Sequence, residues 1–233
     1  MLELFPDGFE EVDGADGVEL VAYTDGRGEE LIARAFGGAH GADVSEDWEE
    51  RWKAFHRGAL VAGLWVGPPW ETPPAGAPAV VIDPGRAFGT GAHPTTRLCL
   101  QLLAELEPGS LLDLGSGSGV LGIAAAKLGF RPVTSIDVDP QAVDATRTNA
   151  AANAAEIEAR VADAAADVLP ESDVAVANIT LESIERLGPQ LRSRRAVTSG
   201  YVVSEQPVLD GYRIVERREQ EGWAADLWER EST

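Results

Sequence analysis

An open, doubly wound α/β sheet is the fold class this sequence predicts, and three observations lead to it. Beyond Pro78, short apolar runs alternate with stretches patterned as helices. A turn crowded with glycine follows the run Leu111-Leu112-Asp113-Leu114. Each helical stretch is long enough to return the chain across a sheet, which makes the strands parallel neighbours.

The elements follow in order. Leu111 to Leu114 is a strand, and after the glycine turn Val120 to Leu128 is a helix. Val133 to Asp137 is the next strand. Its helix starts with Asp139 as N-cap and Pro140 in the first helical position, and runs toward Asn149. Ile157 to Val161, Val174 to Ala177 and Ala196 to Thr198 supply further strands, and Trp223 to Trp228 a closing antiparallel edge. Upstream, Thr95 to Leu106 forms a helix with Leu98, Leu102, Leu103 and Leu106 on one face. Nearer the start, Gly17 to Tyr23 reads as a strand ending at Asp25-Gly26, and Glu29 to Phe36 as a short helix stopped by Gly37-Gly38. Ser45 caps a linking helix with Trp48, Trp52 and Phe55 on one face. The stretch PPWETPPAGAP is too rich in proline for a helix or a central strand. The expected division is therefore 1–44, a linker helix and Pro-rich connector over 45–78, and the main domain over 79–233.

The chain has 233 residues, 19 Lys+Arg against 39 Asp+Glu, and a formal charge of -20. Such acidity argues against direct nucleic-acid binding, which draws on released counterions, and favours a basic protein partner. The single cysteine, Cys99, excludes an internal disulfide framework and a Cys-rich zinc site. His40, His56 and His93 are scattered, so no metal is expected. No apolar run approaches the roughly 20 residues of a spanning helix, and MLELFPDGFEE lacks the basic and apolar regions of a secretory signal. A cytoplasmic protein is the expectation, with the monomer favoured.

The informative stretch is Leu111-Leu112-Asp113-Leu114-Gly115-Ser116-Gly117-Ser118-Gly119-Val120-Leu121-Gly122. Gly115, Gly117 and Gly119 let a ligand approach the backbone at the carboxyl end of a strand, where open α/β sheets bind ligands. Two ligand classes compete. Gly117-Ser-Gly119-Val-Leu-Gly122 fits the dinucleotide pattern G-x-G-x-x-G, with Asp137 or Asp139 near the spacing for a ribose. Asp113 counts against it, because a carboxylate before the glycines repels a pyrophosphate. The same carboxylate suits a ligand with a cationic end and no phosphate, such as S-adenosylmethionine. A second signature, Asp83-Pro84-Gly85-Arg86-Ala87-Phe88-Gly89-Thr90-Gly91-Ala92-His93-Pro94-Thr95-Thr96, reads as a glycine-hinged loop able to fold over a bound cofactor, with Phe88 shielding it from water.

D-x-G-x-G-S-G after an apolar strand resembles the first motif of class I S-adenosylmethionine-dependent methyltransferases, whose sheet is Rossmann-like. That resemblance gives Asp137, 22 positions after Gly115, the ribose hydroxyls, and gives Asp163 a place near the adenine amino group. DPGRAFGTGAHPTT, then LLDLGSGSGVLGIAAAKLG, IDVDPQAV and VANI, together resemble the ribosomal protein L11 methyltransferase family from about Phe5 onward. The resemblance implies an enzyme that methylates lysine and N-terminal amino groups of a large-subunit ribosomal protein. Carried across position by position, Thr96, Gly115, Asp137 and Asn178 match the family's cofactor-binding positions. Asn178, at the end of Val176-Ala177-Asn178-Ile179, also holds the substrate amine and is the candidate catalytic residue; on position alone it is equally a strand-end turn residue. His93 reads as a structural hydrogen-bonding residue or, less readily, a proton acceptor. The family's N-terminal substrate-recognition domain is matched only in its later part, so 1–44 is expected to be a truncated α+β recognition segment. Alternatives are action on another protein lysine, on RNA through a local patch at Arg192, Arg194 and Arg195, or on a small molecule, and a donor-binding module without activity.

Overall fold

The structure, a computed structural model, describes residues 10–14, 17–21, 26–38, 57–83 and 91–231. Two compact units divide the chain, Met1–Arg51 and Trp52–Thr233. In the first, β1 (Glu10–Gly14) and β2 (Gly17–Val21) pair antiparallel with Glu10 opposite Val21, and α1 (Gly26–Phe36) follows. That helix stops where Gly37 turns to a φ of 80° and its N–H returns to the Ala33 carbonyl. The helix expected from Ser45 lies outside the described residues.

The second unit opens with a small sheet of β3 (Ala59–Val61), β4 (Leu64–Gly67) and β5 (Ala79–Val81). The turn Ala62-Gly63, with φ of 49° and 81°, has the left-handed geometry that closes a two-residue hairpin between β3 and β4. The Pro-rich stretch, expected as a connector between domains, instead joins β4 to its parallel neighbour β5 inside this unit. Proline excludes helix and central strand there but suits a loop that must only carry the chain back.

The principal elements are α2 (Pro94–Ala104), β6 (Leu111–Leu114), α3 (Val120–Lys127), β7 (Val133–Asp137), α4 (Pro140–Ala152), β8 (Glu158–Val161), β9 (Val174–Asn178), α5 (Leu181–Glu185), β10 (Arg195–Val202), β11 (Tyr212–Gln220) and β12 (Trp223–Arg230). Seven of the strands form one sheet in the order β11-β12-β10-β9-β6-β7-β8. Strands β6 to β10 run parallel, while β12 is antiparallel to both β10 and β11. Trp223 therefore starts an inner strand, not the closing edge. The edge is β11, whose charged sequence RIVERREQ hides its strand character and suits a border open to water.

One face of the sheet packs Val176, Val197 and Ala225 under Leu98, Leu102 and Leu103 of α2, with α3 and the small sheet in the same core. The other face buries Leu112, Ile136, Ala175 and Trp228 beneath irregular chain that supplies Leu169, Leu187, Leu191 and Leu209. No helix lies in the short described stretch between β10 and β11. Strand order reverses between β6 and β9, so the crevice beyond their carboxyl ends is the natural ligand site.

Candidate active site

At that crevice the glycine loop leaves β6 with its backbone held from three sides. Thr146 on α4 donates its hydroxyl to Ser116 Oγ at 3.0 Å and to the Gly117 carbonyl at 3.1 Å. Asn149, one turn further along α4, donates to the Ser118 carbonyl at 2.9 Å and accepts from the Asp83 N–H at 3.1 Å. Asn153 then pairs both amide atoms with the Val81 backbone, at 2.8 and 2.6 Å. A single helix face thus ties the glycine loop to the start of the second signature. Asn149→Ala leaves the Ser118 carbonyl and the Asp83 N–H without these partners, and should lower unfolding free energy by about 2 kcal/mol in urea denaturation.

Asp137 ends β7 and faces the loop from the third side. Its Oδ2 accepts the Gly117 N–H at 2.9 Å and its Oδ1 the Asp139 N–H at 3.0 Å. The carboxylate is half-buried, so lone pairs remain for a ligand's hydroxyls. This arrangement decides between the two ligand classes. A dinucleotide needs the loop's N–H groups free for its pyrophosphate, and here the Gly117 N–H is already given to a carboxylate.

The electrostatic reading of Asp113 is corrected. Its carboxyl group is buried, with Oδ2 accepting from the Gly122 N–H and the Ser135 hydroxyl, both at 3.1 Å. Burial raises its pKa to about 7 against the opposing pull of those two hydrogen bonds. Buttoned into the β6–β7–α3 junction, this group braces the loop and is too deeply buried to face a ligand. Raised from 3.8, the folded-state pKa makes this group's contribution fully favourable below about pH 4 and progressively lost as pH climbs to about 7. Relative to Asp113→Asn, the native chain should therefore lose stability between about pH 4 and 7 and run parallel to it above, as read by urea unfolding across that range.

A cavity of about 250 Å³ opens beside Asp137, lined among others by Gly115, Val138, Asp163, Ala164 and Ile179. Asp163 is exposed at its rim, with Oδ1 holding the Ala165 N–H at 2.8 Å. Val138, 65% exposed, offers the cavity an unusually open apolar surface.

Across the reversal point, Asn178 ends β9 and donates its Nδ2 to Thr96 Oγ1 at 3.3 Å. Thr96 is fully buried on α2, so two residues 82 positions apart are brought together. The bond to Thr96 uses one Nδ2 proton and fixes the amide so that Oδ1 is available as an acceptor. Phe88 lies outside the described residues. His93 caps α2: its Nδ1 lies 2.8 Å from Thr95 Oγ1 and its ring stands edge-on to Trp223 at 4.9 Å. Burial, and then Arg97, lower its pKa, which favours the neutral capping ring.

The patch at Arg192 and Arg194 sits at the opposite ends of the strands, in a depression of about 490 Å³ shared with Glu171 and Asp173. Its mixed charge does not suit a polyanion. Among the described residues no cluster could hold a metal ion, and no helix is long and apolar enough to cross a membrane.

The largely parallel sheet, the glycine loop braced by α4 and the strand-end acid define the class: a Rossmann-like α/β domain with a ligand crevice at its reversal point. Comparison with known proteins takes this further. The family model for ribosomal protein L11 methyltransferase matches residues 30–231, a stretch that begins later than the Phe5 start expected from the sequence motifs. The chain belongs to the ribosomal protein L11 methyltransferase family. A protein of that name from Symbiobacterium thermophilum is 43% identical over 198 residues, covering 78% of this chain and 65% of the relative. Another from Dechloromonas aromatica is 50% identical over 131 residues, covering 55% and 44%. The chain thus spans less than two thirds of the length of either relative. The crystal structure of ribosomal protein L11 methylase from Lactobacillus delbrueckii subsp. bulgaricus superposes with a TM-score of 0.69 at 29% identity, over 76% of this chain and 100% of that one.

Proposed function

We propose that this chain is an S-adenosylmethionine-dependent methyltransferase that modifies lysine and N-terminal amino groups of ribosomal protein L11. The observation that carries the reading is the Asp137 carboxylate at the end of β7, bound to the Gly117 N–H and facing the reversal point where Asn178 stands. An acid in that place suits a nucleoside without phosphates. Relatives at 43% and 50% identity bear the name ribosomal protein L11 methyltransferase, which supports the acceptor. The net charge of -20 suits a basic partner and a cytoplasmic setting beside the ribosome.

The residues fit the donor. Gly117 allows close approach of the donor to the backbone, Asp137 accepts from the ribose hydroxyls, and Asp163 is assigned the adenine amino group. When bound, S-adenosylmethionine supplies an electrophilic methyl group on its sulfonium. The chain's own task is alignment. Asn178 Oδ1 accepts an N–H of the acceptor and turns the nitrogen lone pair toward the methyl group, while Thr96 keeps the amide from rotating. A lysine has an ordinary pKa near 10.4, and desolvation in the crevice favours its neutral, nucleophilic form. Its proton leaves to solvent, so no strong general base is needed. From its place in the second sequence signature alone, Phe88 is assigned the role of excluding water from the donor.

Intact-mass analysis of ribosomal protein L11 after incubation with the chain and S-adenosylmethionine tests the proposal. Mass gains in steps of one methyl group are expected, absent with Asp137→Ala and Asn178→Ala. Donor binding without transfer to any ribosomal protein would leave a donor-binding module.

A further inference from the structure

Ile179 occupies a wedge that the site has not yet explained. It follows Asn178 at the carboxyl end of β9, between β6 on one side and β10 on the other. Toward β10 its N–H donates to the Ser199 carbonyl at 3.1 Å. Its own carbonyl lies so close to Gly200 that a Cβ there would come within 2.0 Å of the oxygen. Gly200 has a φ of 111° and sits where the β10–β12 register shifts between Ser199 and Tyr201. Glycine inside a strand forfeits packing and costs chain entropy, so close backbone approach is what gives this position its value. Toward β6 the Ile179 side chain fills the space over the glycine loop: a Cβ on Gly115 would lie 2.4 Å from Ile179 Cγ2. The same side chain lines the cavity beside Asp137.

We infer that Ile179 is a positioning residue that sets the spacing between donor and acceptor amine. The inference rests on the functional reading above. The backbone of Ile179 is seated on Gly200 and its γ-methyl bears on Gly115, so Asn178, one peptide bond away, cannot drift relative to the donor loop. The device is mechanical: β10 fixes the main chain, β6 fixes the side chain, and the amine holder is fixed between them. Reacting atoms must meet within a few tenths of an ångström, so a small loss of support here acts on turnover more than on donor affinity.

Steady-state kinetics with ribosomal protein L11, together with calorimetry of donor binding, test this on three variants of the full chain. Ile179→Ala, which removes the γ-carbons, should lower kcat by about tenfold or more while donor Kd changes by less. Ile179→Val, which retains both γ-carbons, should recover most of that loss. Gly200→Ala, outside the cavity, should lower kcat further with donor Kd within about threefold, because displacing the Ile179 carbonyl moves Asn178 but not the donor loop. If Gly200→Ala does not fold, the Ala and Val pair at position 179 decides. A loss in Ile179→Ala confined to donor Kd, with kcat at saturation within about twofold of native, overturns the inference, as does equal loss in Val and Ala. Failure of the native chain to bind donor overturns the functional reading instead.

Discussion

Replacing Asp137 with Ala should weaken S-adenosylmethionine binding by at least about 100-fold, the equivalent of about 3 kcal/mol. The expected size follows from what the carboxylate holds. Two ribose hydroxyls donating to a charged group contribute about 1.5–3 kcal/mol each, and both bonds vanish together. The loop also loses its tie at Gly117 N–H and the first turn after β7 its tie at Asp139 N–H. Asp137→Asn keeps an acceptor oxygen without the charge and should fall between the two. Calorimetry measures all three, and circular dichroism shows that the sheet survives. Native-like affinity in Asp137→Ala would move the ribose elsewhere and remove the observation on which the functional reading stands.

Asn178→Ala should show the opposite division. Here kcat on ribosomal protein L11 falls by at least about 100-fold while donor Kd changes by less, because the role proposed for the side chain on the acceptor amine outweighs its share in holding the donor. The expected loss reflects how much of the rate in a direct transfer depends on orientation. Asn178→Asp tests the geometry from another direction. It retains the Oδ1 acceptor and, unable to donate, accepts from the Thr96 hydroxyl instead, so it should recover part of kcat and be sensitive to Thr96→Val. Loss confined to donor Kd would place Asn178 on the nucleoside.

These two residues were legible in the sequence, for different reasons. Asp137 ends an apolar run near the spacing for a ribose, where the local pattern left Asp139 open as well and the family resemblance chose Asp137. Asn178 was marked by its place after Val174 to Ala177 and by family resemblance, and its link to Thr96 became visible only with the fold. Asp113 was noticed for its charge and proved important for its burial, which a residue list does not carry. Thr146, Asn149 and Asn153 were not singled out at all. They are modest helix formers on α4, and their partners lie 29 to 72 residues away. Their only local signal is polar residues repeating at helical spacing on a face that packs against strands. Ile179 was marked only as the last residue of VANI, since an aliphatic residue after a strand otherwise reads as core.

The fold was readable where elements are regular. Parallel strands from Leu111 to Thr198 and the helices α3 and α4 follow from apolar runs and an N-cap, and Asp139 caps α4 in the structure by accepting the Gln141 N–H at 2.8 Å; the five-residue α5 was not read from the sequence. The small sheet of β3 to β5 was missed because its strands are three or four residues long, interrupted by Gly63 and the proline loop. The edge strand β11 was missed because charge masks its alternation.

The most direct test of the central claim is a calorimetric titration of S-adenosylmethionine, and in parallel of NAD, into the folded chain. Saturable one-site binding of S-adenosylmethionine, weakened at least about 100-fold by Asp137→Ala, with no heat from NAD, is the predicted result. Well-folded protein that ignores S-adenosylmethionine, or that binds NAD in its place, contradicts it.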